Sequence, residues 1–178
     1  MYRLAATALL ATVLVGAIPP PAAAERPSRE ARSGFQGGAR SVPELLEQFL
    51  LALREKDRAA LRKLRITETE YRRVILPGSV RPGEAPRNMA PDAVTFLWSS
   101  LDVKSGHRER ALLAALGGRR LAVRDVSFAR GEREYAGYKA YSQLELKLAA
   151  DGGDEQTLEL GSIAEVGGRL KFISYARE

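Results

Sequence analysis

The chain of 178 residues contains no cysteine and one histidine, His107. The first absence excludes disulfides, thiolate nucleophiles and zinc–thiolate sites, and the second excludes a multi-histidine metal centre within one chain. No G-x-S-x-G elbow, Walker glycine loop or H-E-x-x-H helix occurs in it. The sequence therefore implies neither a metal nor an organic cofactor. Beyond the first 24 residues no apolar run approaches the ~20 residues of a membrane span. Hydrophobic residues at 45% and charged residues at 28% give the balance of an ordinary globular chain, with length for one domain.

The amino-terminal region is distinctive. Arg3 precedes an uncharged run from Leu4 to Ile18, followed by Pro19-Pro20-Pro21 and Ala22-Ala23-Ala24. A positive start, an apolar stretch and a small-residue cleavage site predict a signal peptide over 1–24, with Glu25 as the mature terminus. The protein is then expected to be secreted or periplasmic, in the cell envelope, with no membrane span after cleavage. All but one of the 28 basic residues and all 22 acidic ones lie beyond the signal, an excess of +5 there. That excess favours anionic partners in general. The basic residues nevertheless alternate with acids, as in Arg54-Glu55-Lys56-Asp57-Arg58, which reads as a solvated face. No nucleic-acid partner is expected.

Residues 25–40 lack apolar periodicity and read as a disordered linker, so the domain is expected over 41–178. Ser41-Val42-Pro43-Glu44 is a capping box that opens a helix with Leu45, Leu46, Phe49, Leu50 and Leu53 on one face. Asp57 caps a second helix burying Ala60, Leu61 and Leu64. Thr67-Glu68-Thr69-Glu70 opens a third, carrying Tyr71, Val74 and Ile75 and stopped by Pro77. Residues 77–91 form a long loop. A helix from about Asp92 carries Val94, Leu97, Trp98 and Leu101, and Ser105 is expected to cap another that ends at Gly117-Gly118.

The period then changes. Leu121–Phe128 reads as a strand with a bulge near Arg124-Asp125, and Tyr138–Leu148 as a strictly alternating strand. Asp151-Gly152-Gly153-Asp154 turns into Thr157–Val166, and Gly167-Gly168 into Leu170–Tyr175. Helices followed by an antiparallel meander of about four strands define an α+β fold, with N-terminal helices packed on a curved sheet.

The opening helices around Leu45-Leu46-Glu47-Gln48-Phe49-Leu50 and Lys56-Asp57-Arg58-Ala59-Ala60-Leu61 resemble the NTF2-like (SnoaL-like, ketosteroid-isomerase-like) superfamily. The closing hairpin Gly161–Phe172 does so too. The resemblance is at fold level over residues 41–176, and a cystatin-like roll has a similar layout. It implies a cone with a pocket at its open end, and no catalytic residue carries over.

Five side chains are candidates for a ligand site there: Tyr71, Trp98, Lys104, His107 and Tyr138. The tyrosines and Trp98 offer apolar walls with polar edges, although each also suits a core. A helix opening at Ser105 would aim free amides at an anion beside Lys104 and keep His107 neutral in its first turn. The equivalent parity of Tyr138 and Leu144 puts both on the inner face. Such a lining suits an amphipathic or anionic small molecule. The expected function is a non-catalytic small-molecule or protein-binding module. The alternatives are a cofactor-free isomerase, lyase or hydrolase using His107 or a buried acid, and an oligomerisation domain forming a homodimer through its sheet.

Overall fold

Local capping fixes the helical half of the protein. The structure, a computed structural model, describes residues 35–150 and 155–177. Ser41 accepts the Glu44 N–H and opens α1 (Val42–Arg54), while the Glu44 carboxylate reaches past the cap to the Arg40 N–H at 2.8 Å. Asp57 caps α2 (Arg58–Lys63) through the Ala60 N–H. Thr67 and Glu70 form a complete capping box on α3 (Glu68–Glu70). That helix runs on through a π-helical turn, Tyr71–Ile75, into α4 (Leu76–Gly78). After the loop 79–90, Pro91 opens α5 (Pro91–Leu116).

α5 corrects one expectation. It is a single unbroken helix of 26 residues, about 39 Å long at 1.5 Å per residue. Ser105 caps nothing: it is mid-helix and fully buried, and its hydroxyl accepts the Tyr175 N–H at 2.9 Å. The Ser-Gly pair resembles a helix start, yet a glycine inside a helix costs only about 1 kcal/mol relative to alanine. A long helix with tertiary partners absorbs that.

Among the described residues seven antiparallel strands follow, in place of about four. They are β1 (Leu121–Phe128), β2 (Glu132–Glu134), β3 (Lys139–Tyr141), β4 (Leu144–Ala150), β5 (Glu155–Glu159), β6 (Ile163–Val166) and β7 (Arg169–Phe172).

 
The register runs Glu145↔Glu159 at one end of the β4–β5 pair and Ala149↔Glu155 at the other. The strands form two sheets, ordered β1-β4-β5 and β2-β3-β6-β7. The four expected passes are still recognisable: the second and third are each broken once, near residues 142–143 and 160–162, and the unexpected β2 follows the first after a turn at 129–131. Backbone bonds continue across the break, from the Ala129 N–H to the Gln143 carbonyl at 2.9 Å and from the Leu160 N–H to the Leu144 carbonyl at 2.8 Å. Gln143, at φ 56°, turns the second pass through the left-handed region and ends the alternation that the sequence carries from Tyr138. The bulge in β1 falls between Val123 and Asp125, as its change of parity predicts. Gly167 and Gly168 both have positive φ and close the β6–β7 hairpin in a two-residue turn.

The free edge of β7 is covered from two directions. Ala39 pairs antiparallel with Leu170, and Arg65 bridges Phe172 in parallel. The expected linker is therefore corrected over its described part: residues 35–40 dock, with Phe35 and Ala39 buried. Phe35 supplies the apolar area that a sixteen-residue window of polar composition hides. The expected signal peptide (1–24), residues 25–34 and the turn Asp151–Asp154 lie outside the described residues.

Two apolar clusters meet across the four-stranded sheet. On one face Ile163, Leu170 and Phe172 pack with Leu45, Phe49 and Leu53 of α1, Leu61 of α2, and Leu112 and Leu116 of α5. Phe49, Phe172 and Tyr175 pack together in tilted pairs, with ring centroids 5.0–5.5 Å apart. On the other face Tyr138, Ala140, Ala164 and Val166 pack with Tyr71, Ile75 and Leu76, and the first half of α5 lays Val94, Trp98 and Leu101 against them. The helices thus divide between the two faces of this sheet. Tyr138 and Leu144 consequently belong to different clusters, which corrects their expected shared face. Among the described residues no helix is long and apolar enough to cross a membrane.

Candidate functional site

Between α2 and the middle of α5 lies a polar cleft of about 470 Å³. Trp98, Asp102, Gly106, His107, Glu109 and Arg110 line it from α5, and Arg58, Arg62 and Arg65 from α2 and the segment after it. At 3.6 residues per turn the α5 residues span one broad flank centred near Gly106. Glu109 is 1% exposed, and its Oε1 accepts from Arg58 Nε at 3.1 Å. Arg65, also buried, donates from Nη2 to Asp102 at 3.0 Å. Glu109 Oε2 and Arg65 Nε are buried without a hydrogen-bond partner among the described residues.

Beneath the cleft the Arg65 guanidinium lies 6.0 Å from the centroid of the Tyr175 ring. The Tyr175 hydroxyl donates to the Leu61 carbonyl at 2.7 Å, and burial pushes its ionisation far above the usual tyrosine range. Tyr141 is also raised, chiefly by its hydrogen bond to the Glu165 carboxylate.

The five sequence candidates are only partly brought together. Trp98 and His107 both line the polar cleft. Tyr71 packs on Trp98 with ring centroids 5.5 Å apart, and Tyr138 is buried in the same apolar cluster, stacked on Tyr135. Lys104 is exposed and lies about 120° around the helix from Trp98, away from Asp102 and Glu109. With no helix start at Ser105, the free amides proposed beside Lys104 are bonded within α5, and the dipole argument for His107 lapses. His107 Nδ1 instead accepts from Arg110 at 2.9 Å, because a guanidinium can only donate.

A second concavity, of about 810 Å³, runs between α1 and the edge strand β1. Its walls are apolar: Leu46, Leu50 and Leu51 from α1 face Leu121, Val123 and Val126 from β1. Arg54, Arg119 and Arg120 stand in its lining against a single acid, Glu47. Leu51 and Val126 are 49% and 37% exposed, large apolar side chains left open to solvent. The sequence places Leu50 on the buried face of α1 and marks β1 as bulged. It carries no local signal that these two elements leave a gap between them.

Among the described residues no group of three or more histidine, cysteine or acidic side chains could hold a metal ion. No family model matches the chain, and neither a curated protein nor a solved structure does.

Proposed function

We propose that the protein is a non-catalytic binding module of the cell envelope whose α1–β1 groove takes a single-chain amphiphile with an anionic head. The observation that carries this reading is an apolar groove of about 810 Å³ with three arginines in its lining. Its size falls in the range of small-molecule sites, roughly 300–1,000 Å³. Leucine and valine side chains suit an acyl chain, which gains about 0.8 kcal/mol for each methylene buried. Arg54, Arg119 and Arg120 suit a carboxylate or phosphate head, which guanidinium groups bind in bidentate fashion. The element order, helices followed by antiparallel passes, is the feature shared with the NTF2-like roll, and that likeness supplies no residue roles.

Oleate is the probe of choice. Titration of the purified protein, followed by native mass spectrometry, should show saturable 1:1 binding. Val126→Asp and Leu51→Asp should abolish it, and the pair Arg119→Ala and Arg120→Ala should weaken it. A second copy of the chain is the competing occupant, since β1 is a sheet edge. Concentration-dependent dimerisation that Val126→Asp removes, with no oleate bound, would overturn the ligand reading.

A further inference from the structure

We infer that the cleft between α2 and α5 is a second binding site, for a small oxyanion that keeps a proton: hydrogen phosphate or the monoanion of a phosphomonoester. Four guanidinium groups line the cleft against two carboxylates. Arg58 and Arg65 are held in place by Glu109 and Asp102. Arg62 and Arg110 form no ion pair among the described residues, and Arg110 donates to the ring of His107. The rim is therefore positively charged, and guanidinium groups match oxyanions in both charge and shape.

The floor narrows the chemistry. Arg65 Nε is an orphan donor and Glu109 Oε2 an orphan acceptor, both on side chains more than nine-tenths buried. A buried polar atom left without a hydrogen bond is costly, so each of these two atoms points to a partner outside the chain. A simple anion would satisfy the arginine and be repelled by the carboxylate. An oxyanion bearing its own O–H satisfies both: its oxygens accept from the arginines, and its hydroxyl donates to Glu109. Access runs past Arg58, whose side chain is 51% exposed at the mouth.

Hydrogen phosphate and sulfate separate these features, because sulfate has similar shape and charge but no proton to donate at neutral pH. Trp98, the only tryptophan, lines the cleft and reports occupancy by fluorescence. At fixed ionic strength, inorganic phosphate should give a saturable change at concentrations at least about tenfold below those needed with sulfate, the worth of one charge-assisted hydrogen bond. Glu109→Gln, whose amide can donate, should bring the two anions to within about twofold. Arg62→Ala should weaken both anions without moving the thermal midpoint. Glycerol 3-phosphate at pH 6 tests the ester, and saturation there alone would assign the site to phosphomonoesters. If Glu109→Gln does not fold, Arg62→Ala and Arg110→Ala carry the test. Equal responses to phosphate, sulfate and chloride, or a phosphate response untouched by the arginine variants, would overturn the inference. Val126→Asp should leave the phosphate response intact, which separates this site from the groove.

Discussion

The Tyr175 N–H donates to the Ser105 hydroxyl at 2.9 Å, 70 residues back along the chain and at the middle of α5. The same tyrosine sends its phenol to the Leu61 carbonyl at the end of α2. One residue near the carboxyl end thereby ties α2 and α5 together directly beneath the polar cleft. Ser105→Ala should leave the Tyr175 N–H buried and unpaired, at a cost of about 1–3 kcal/mol in urea denaturation. A loss below about 0.3 kcal/mol would mean that the bond contributes little to the fold.

Tyr175 also gives the protein an alkaline limit. Its folded-state ionisation is raised, so its contribution is complete below the unfolded value near 10. It is lost as pH rises above that, because the unfolded chain releases the proton and the native chain keeps it. Tyr175→Phe should cost about 1 kcal/mol at pH 7 through the lost hydrogen bond. The gap to wild type should then shrink by up to about 1.4 kcal/mol for each pH unit above 10. Parallel stability curves between pH 9 and 11 would contradict the account.

Glu70 and Lys171 form an ion pair in which both side chains are largely withdrawn from water, at 13% and 4% exposure. Glu70 also accepts the Thr67 N–H and the Gln36 N–H, so one carboxylate joins a helix cap, the docked amino-terminal segment and β7. Lys171→Met alone should destabilise by about 3–5 kcal/mol, the cost of an uncompensated buried charge. Adding Glu70→Gln should recover part of that loss. Additive losses in a double-mutant cycle by urea denaturation would show that the two do not act as a pair.

Phe35 is buried against the second cluster, with the Lys171 ammonium 5.8 Å from its ring centroid. Phe35→Ala should cost about 3–5 kcal/mol. Chains starting at residue 35 and at residue 41 should differ in thermal midpoint by several degrees, the later start being less stable. Equal midpoints would mean that residues 35–40 contribute nothing to the domain.

What the sequence made legible was local. The caps at Ser41, Asp57 and Thr67 depend on residues three positions apart, and each forms. The bulge near Asp125 is legible because a bulge shifts parity within one strand. Leu146 is buried and Lys147 exposed, as alternation requires. Ser105 was misleading because its partner, Tyr175, is remote and the hydroxyl is used by tertiary structure. Gln143 was opaque because non-glycine residues seldom take positive φ, so nothing in Tyr138–Leu148 advertised the break. Of the cleft lining, Trp98 and His107 were among the sequence candidates, His107 through a helix start at Ser105 that the unbroken α5 does not contain. Glu109 was not, since burial turns an ordinary helix carboxylate into a cleft floor only when α2 is in place. The groove depended likewise on the distance between α1 and β1, which no local pattern encodes.

The most direct test of the central claim is a methyl NMR titration of the leucine- and valine-labelled protein with oleate. Binding in the α1–β1 groove predicts saturable shifts for Leu46, Leu50, Leu51, Val123 and Val126, and unmoved signals for the core methyls of Leu144 and Leu146. Shifts confined to other methyls, or none at saturating oleate, would contradict it.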